Sequence, residues 1–490
     1  MDRNEKRFLE VAELARELGL DPFPVVHEII ERQTMFNICA YGLPTRARHW
    51  SYGRSYDHQK AHGEMGLSKI FEIILNNNPC YAFLLDTNTT VQNLFIVAHC
   101  AGHSDFFKHN CTFKDSNRNM IRHAAEHAGR IEEYIDKHGF EKVEHIMDVG
   151  FALSRHIDWH KGLHRKPYKE KSTVYTKRKR GEFDDVLLKR QRPSIVKRII
   201  NDKFPPHPEQ DLLWFFINYA PLEEWEKDIL DIIREEHFYF YPQMMTKIMN
   251  EGWASYWHAE IMYQYKGLSS AEYLDFLRDH EKVVQPGGNP FRINPYFLGF
   301  KIFQDIENRW DKEYGKGAGR EKIFQVRAED DDVSFIRNYL TADLINELNL
   351  FTFGYAKDYA KDHKGERLIE IKERMREQVV ETLVAPLYNG GTPKISIIEI
   401  GPEGRLVMEH ESTNVSPLDH KFAEKTMEYV WDLWAAPIEL RTKDDDGEDI
   451  ILYFDEAGYY EKHLDEELDF EEEEEEPDFK KSYRGRIIIP

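Results

Sequence analysis

Cysteine is scarce in this chain: four residues (Cys39, Cys80, Cys100 and Cys111) are spread over 490 positions, and none stands in a CxxC pair. Four thiols so spaced exclude a disulfide framework and a thiolate zinc knuckle, and they fit a reducing compartment. Long apolar runs are also missing. No stretch approaches the roughly 20 residues that a membrane-spanning helix needs, and the N-terminal MDRNEKRFLEVAELARELGL is charged and helix-periodic where a secretory leader would be apolar. The expected location is the cytoplasm, with no membrane partner. Positive charge is the third deficit. Lys and Arg number 66 against 88 Asp and Glu, a formal charge of −22, so phosphate backbones are repelled and no nucleic-acid partner is expected.

What is present is a large core and much helix. A hydrophobic fraction of 41% with 13% aromatics fits two or three globular domains. Apolar positions recur at helical spacing over residues 8–20 and 68–76 and through most segments up to about residue 312. The glycine-rich YGKGAGREKI, residues 314–323, marks a boundary. Beyond it come the helical DVSFIRNYLTADLINELNL and a long helix expected near residues 366–387. Short β-like runs follow: PKISIIEI, GRLVMEH, IELRT and DIILYF, with the helix LDHKFAEKTMEYVWDLW between the second and third. The expected fold class is α+β, predominantly α. A helical domain spans residues 1–315 and a smaller α+β domain with an antiparallel sheet spans 320–460. An acidic tail over 461–490 contains DEELDFEEEEEEPD, which repels itself and is expected to be disordered. The basic stretch 166–192 reads as a loop, either solvated or a docking patch for an acidic partner or for the tail.

Histidine is where chemistry gathers. Of 22 histidines, 14 precede residue 165 and five pairs stand four apart: His58 and His62, His99 and His103, His123 and His127, His156 and His160, and His160 and His164. Random placement would give about one such pair. Two imidazoles at i and i+4 on a helix share a face and can grip one metal ion, as in HExxH zinc proteins. The strongest pair lies in VAHCAGHSDFFKHN, where an apolar run leads into His99 and His103 and Asn110 follows seven residues after His103. His58 and His62 lie in polar surroundings and read as a solvated face. His123 with His127, and His156 with His160, are consistent with a second metal or with a polar network that fixes helix packing.

The stretch KIMNEGWASYWHAEI, Lys247 to Ile261, carries the complementary carboxylate. Glu251 and His258, seven apart, share a helical face with the small Ala254 and Ser255 between them. Lys247 stands four residues before Glu251. The spacing thus nominates His99, His103 and Glu251 as ligands of one divalent transition metal, zinc first and iron or manganese as alternatives. His258 is a further ligand or a supporting partner. One departure is plain. In HExxH the glutamate after the first histidine is the general base, and here Cys100 stands there. Glu126, Asp158, Glu235 and Glu236 are the candidates to replace it, and nothing in the spacing selects one. No catalytic residue is assigned, and little activity on generic peptides is expected.

Four phrases carry a family likeness: TKIMNEGWASYWH, AHCAGHSDFFKHN, HWSYG at residues 49–53 and NPYFLGFKIFQDIE at residues 294–307. They resemble the hallmark segments of the stage V sporulation protein R (SpoVR) family, and the likeness runs from about residue 8 to about residue 460. The resemblance implies a link to spore cortex formation or stress physiology. It also implies partnership with a PrkA-type serine protein kinase and with a protein carrying a von Willebrand-like domain. A narrower resemblance concerns EGWA alone, the phrase in which some gluzincin-type zinc peptidases place their glutamate ligand. These likenesses leave two expectations side by side: a metal-dependent hydrolase lacking the usual HExxH base, and a non-catalytic regulator or scaffold acting with the kinase.

Overall fold

The computed structural model describes residues 3–64, 72–168, 173–177, 195–199, 204–287, 293–355, 369–412, 418–444 and 447–463. The acidic run from Asp465 onward and most of the basic stretch 166–192 lie outside the described residues. Within that stretch the segment Thr173–Lys177 is a strand that pairs with Ile195–Ile199. No helix among the described residues is long and apolar enough to cross a membrane.

Two helices form the centre. The first, Thr90–His109, begins with a reciprocal cap between Thr89 and Gln92, and buries almost every residue from Val91 to Phe107. A helix buried all round needs its polar residues satisfied from neighbouring elements, and here those neighbours build the site. The second, Lys247–Gln264, has no side-chain cap of its own at Thr246. Its first free amides are taken by Asp332 from another helix, which accepts from Ile248 N and Met249 N at 2.8 Å.

Missing side chains let these helices approach closely. A Cβ added at Gly102 would lie 2.8 Å from Ala254 Cα, and one at Gly252 would lie 2.4 Å from the backbone of Gly299 in the helix Pro295–Tyr314. The second helix is therefore clamped between the first and third with backbone against backbone. Asp105 adds a polar staple. Its fully buried carboxylate receives Arg327 Nη1 at 2.7 Å, Trp253 Nε1 at 2.9 Å and Asp21 N at 2.9 Å.

Several elements depart from the sequence expectation. Residues 72–75, read as helical, form the strand Glu72–Leu75. It lies at one edge of a three-stranded sheet with Cys80–Leu85 in the centre and Val25–Ile30 beyond. The apolar cluster Ile73–Leu75 is too short for periodicity to distinguish helix from strand. Near residues 366–387 there is a strand, Ile369–Glu373, followed by the shorter helix Arg376–Val384. The alternating Ile369 and Ile371 favour the pleat.

The four C-terminal strands lie where the alternation places them, and a fifth, Gly458–His463, extends the sheet into residues assigned to the tail. That sheet is mixed rather than antiparallel. Leu406–His410 and Ile438–Lys443 run parallel because the helix His420–Trp434 crosses over between them. One apolar core joins this sheet to the helices Phe140–Leu153, Leu212–Tyr219 and Glu224–Met245, while a second core holds the two central helices. In the glycine-rich stretch 314–323 only residues 315–317 turn, between the helices Pro295–Tyr314 and Ala318–Glu329, and Gly319 in the second helix is pressed against Glu307 O.

Candidate metal centre

His99 and His103 stand one turn apart on the buried helix, and the clamped Lys247–Gln264 helix presents Glu251 to both. His99 Nε2 and His103 Nε2 are 2.9 Å apart, and Glu251 Oε2 lies 3.6 Å from the first and 3.3 Å from the second. Ligand bonds of 2.0–2.1 Å in a tetrahedron put donor atoms about 3.3 Å apart, so one metal ion fits among the three. Glu251 Oε2 is buried with no hydrogen-bond partner among the described residues. An orphaned carboxylate oxygen facing two imidazole nitrogens is the donor set a divalent transition metal satisfies.

The outward-facing atoms are all engaged. His103 Nδ1 donates to Asn250 Oδ1 at 2.9 Å, which leaves its Nε2 lone pair toward Glu251. His99 Nδ1 meets His258 Nδ1 at 3.0 Å, and His258 Nε2 meets His280 Nδ1 at 2.8 Å. Donation from His99 through His258 to His280 satisfies this row and leaves His99 Nε2 free. Lys247 Nζ donates to Glu251 Oε1 at 2.9 Å and turns the other oxygen inward.

The electrostatics follow from burial and these partners. Burial opposes ionisation of Glu251, but Lys247 and His103 outweigh it and hold the carboxyl well below its ordinary range. Burial and the neighbouring His103 bring His99 down to about 4. Burial acts the same way on His103, yet the Glu251 charge prevails and raises it. A metal ion competes with that proton, so uptake depends on pH.

Sequence reasoning missed two residues at this site. Glu72, the first residue of its edge strand, brings Oε1 to 3.9 Å from His99 Nε2. Burial and the Glu251 charge push its carboxyl up to about 7. Tyr296 stacks on His99 with ring centroids 6.0 Å apart, and burial together with Glu251 and Glu72 drives its phenol well above the usual range. Glu72 carried no local signal because its segment was read as helix. Tyr296 stands in the NPYFLGF phrase, yet nothing in the phrase alone ties it to His99.

The remaining nominated residues lie elsewhere. Asn110 ends the histidine helix, its amide bonded to the carbonyls of Arg327 and Asp330. The helix that would align His156 with His160 stops at Leu153, and His160 sits in a separate 3-10 turn. His123 and His127 face Glu235 and Glu236 in a second cluster. His123 Nδ1 lies 3.0 Å from Glu235 Oε1, and His127 lies 3.4 Å from Glu235 and 3.5 Å from Glu236. Glu236 also receives Arg46. Of the candidate bases, Glu235 and Glu236 belong to this cluster, Glu126 pairs with Arg122 on the surface, and Asp158 caps its 3-10 turn. A second convergence of possible ligands, Asp444, Glu448 and His463, is largely exposed.

Comparison with known proteins agrees with the phrases read above. The family model described as SpoVR like protein matches residues 2–389. An uncharacterized protein of Escherichia coli (strain K12), YcgB, is 28% identical over 480 residues, covering 89% of this chain and 91% of its own. No solved structure matches. The chain belongs to the SpoVR family.

Proposed function

We propose that this SpoVR-family chain is a metal-dependent hydrolase that holds its metal on His99, His103 and Glu251 and uses Glu72 as general base. The observation that carries this reading is the convergence of two imidazole nitrogens on a buried carboxylate oxygen that has no other partner. Two nitrogens and one oxygen suit zinc, and also iron or manganese, and three protein ligands leave room for water or substrate. A divalent ion there supplies Lewis-acid activation of water and of a scissile carbonyl.

The protein's own groups do the rest. Glu72 reaches the centre from a sheet edge and stands beside His99, where a carboxylate can take a proton from an attacking water. It thereby supplies the base that Cys100 cannot. Tyr296 keeps its phenolic proton beside Glu251, and a donor at that point can support negative charge that develops at the centre. Asn250 and His258 hold the two imidazoles in the tautomers that face inward.

The test pairs elemental analysis with turnover. Wild type and the Glu72→Gln variant are reconstituted with zinc, iron or manganese and assayed on a library of peptides and cell-wall fragments. Both proteins should hold one metal per chain, with turnover lowered about 100-fold or more in the variant. Equal turnover would overturn the role of Glu72. The regulator reading expects a kinase complex whose formation ignores metal and a protein without turnover in any loaded form.

A further inference from the structure

The phrase HWSYG, residues 49–53, takes no part in the metal centre, yet it helps to set a hydroxyl, an imidazole and a carboxylate in one row. The three are Ser51, His49 and Asp148, the last from the helix Phe140–Leu153. His49 Nε2 lies 3.1 Å from Asp148 Oδ1, and the same oxygen accepts from Trp50 Nε1 at 2.7 Å. An indole N–H can only donate, so this oxygen is an acceptor and the imidazole donates to it from Nε2. His49 Nδ1 is then a bare lone pair. Ser51 Oγ donates to it at 2.8 Å.

The row goes beyond a helix cap. His49 precedes the helix Trp50–Glu64, and its Nδ1 also faces Ser51 N at 3.4 Å, as a capping side chain would. A cap requires neither the shorter hydroxyl bond nor a carboxylate behind the ring. The imidazole is buried among Trp50, Tyr52 and Phe151, whose ring centroids lie 5.5, 5.9 and 4.8 Å from its own. Burial outweighs Asp148 and lowers the imidazole below its ordinary range, so it is neutral at physiological pH and able to take a proton. Ser51 is half-buried and adjoins open surface: Trp50 is 54% exposed, and a Cβ added at Gly53 would meet nothing within 4 Å. The serine stands in the first turn of its helix, where the backbone dipole favours negative charge.

We propose that Ser51 is the nucleophile of an activity separate from the metal centre, the hydrolysis of carboxylic esters, with His49 as general base and Asp148 holding the imidazole in place. Ser51 Oγ bonds to the acyl carbon while its proton passes to His49 Nδ1. The ester C–O bond then breaks, and the departing alkoxide takes that proton as it leaves. Water attacks the acyl carbon next, giving one proton to His49, which returns it to the serine oxygen as the carboxylic acid is released. The half-exposed indole of Trp50 gives an apolar part of the ester a face beside the hydroxyl.

The full chain is treated with an alkyl fluorophosphonate, with and without a chelator, and mapped by peptide mass spectrometry. One phosphonyl group per chain is expected on Ser51 at the same rate in both conditions, the serine oxygen bonding to phosphorus as fluoride leaves. Ser51→Ala should take no label and should lose the burst of nitrophenol that wild type releases from 4-nitrophenyl acetate. Asp148→Asn should slow labelling about 100-fold or more with its thermal transition kept, and Asp148→Glu, which retains the charge, should recover part of that rate. This pair serves even if a variant at the buried His49 does not fold. The proposal is overturned if Ser51 carries no label, if Asp148→Asn reacts as fast as wild type, if the burst survives in Ser51→Ala, or if the chelator abolishes labelling.

Discussion

Two of the five histidine pairs spaced four apart face glutamate from a neighbouring helix, and they differ in character. His99 with His103 and His123 with His127 each sit four apart on a helix, and each faces glutamate from a neighbouring helix. At the first pair the inner nitrogens converge on one bare carboxylate oxygen, and the outer nitrogens are held by a neutral amide and a neutral imidazole. At the second, each ring nitrogen of His127 looks at a different carboxylate. Burial would lower His127, but Glu235 and Glu236 outweigh it and raise it to about 9, while the hydrogen bond from His127 brings Glu235 down to about 2. That histidine carries a proton where a metal ligand must offer a lone pair. Glu251 raises His103 in the same direction, so what separates the two is the outer partner: His103 has a neutral amide there, and His127 has a second carboxylate that adds its charge to hold the proton.

The contrast breaks most visibly in metal content. Glu251→Gln should lower metal affinity by about 100-fold or more with little change in fold, whereas Glu235→Gln should leave the bound metal intact. Elemental analysis after dialysis against a weak chelator separates them, and equal losses would erase the distinction. Stability against pH probes the other cluster. Folded His127 holds its proton more tightly than the unfolded chain, so its contribution is full below about pH 6.5 and is lost as the pH rises through 9. The loss amounts to roughly 3 kcal/mol. Urea unfolding at pH 6 and pH 10 should show that drop in the wild type and a much smaller one in Glu235→Gln.

The neutral outer partner can be tested directly. Asn250→Ala should weaken metal binding by about 10–100-fold while leaving His127 untouched. Unchanged affinity would mean that the ring of His103 is fixed by packing alone. The smallest effect concerns the clamp. Gly102→Ala pushes a methyl into Ala254, and a cost of about 1–3 kcal/mol in thermal or chemical unfolding is expected from overpacking. Metal affinity should fall with it, because the two helices that carry the ligands are forced apart.

Legibility in the sequence followed the range of each interaction. His99, His103 and Glu251 were readable because each is announced by local spacing on a strongly apolar helix, and the C-terminal strands by their alternation. Glu72 was not, since its meaning arises only when an edge strand folds against the histidine helix. Asn250 stood beside Glu251 in plain view, but its bond to His103 crosses 147 positions of chain. The i+7 placement of Asn110 and the i+4 placement of His160 assumed helices that in fact stop first. Parallel pairing in the C-terminal sheet required recognising that a helix between two strands is a crossover.

The contact of Gly252 with Gly299, and of Gly102 with Ala254, bears on how mutations spread through the molecule. Where side chains separate two helices, a changed core residue alters their spacing, and the error propagates to whatever the helices carry. Here the separations are set by peptide groups in van der Waals contact, which have no rotamers to exchange and no volume to lose. The ligand-bearing helix is thus insulated from drift in the surrounding core. Substitutions at Phe303 or Ile323 can loosen the protein while the spacing of His99, His103 and Glu251 stays fixed, so stability and metal geometry are free to vary independently.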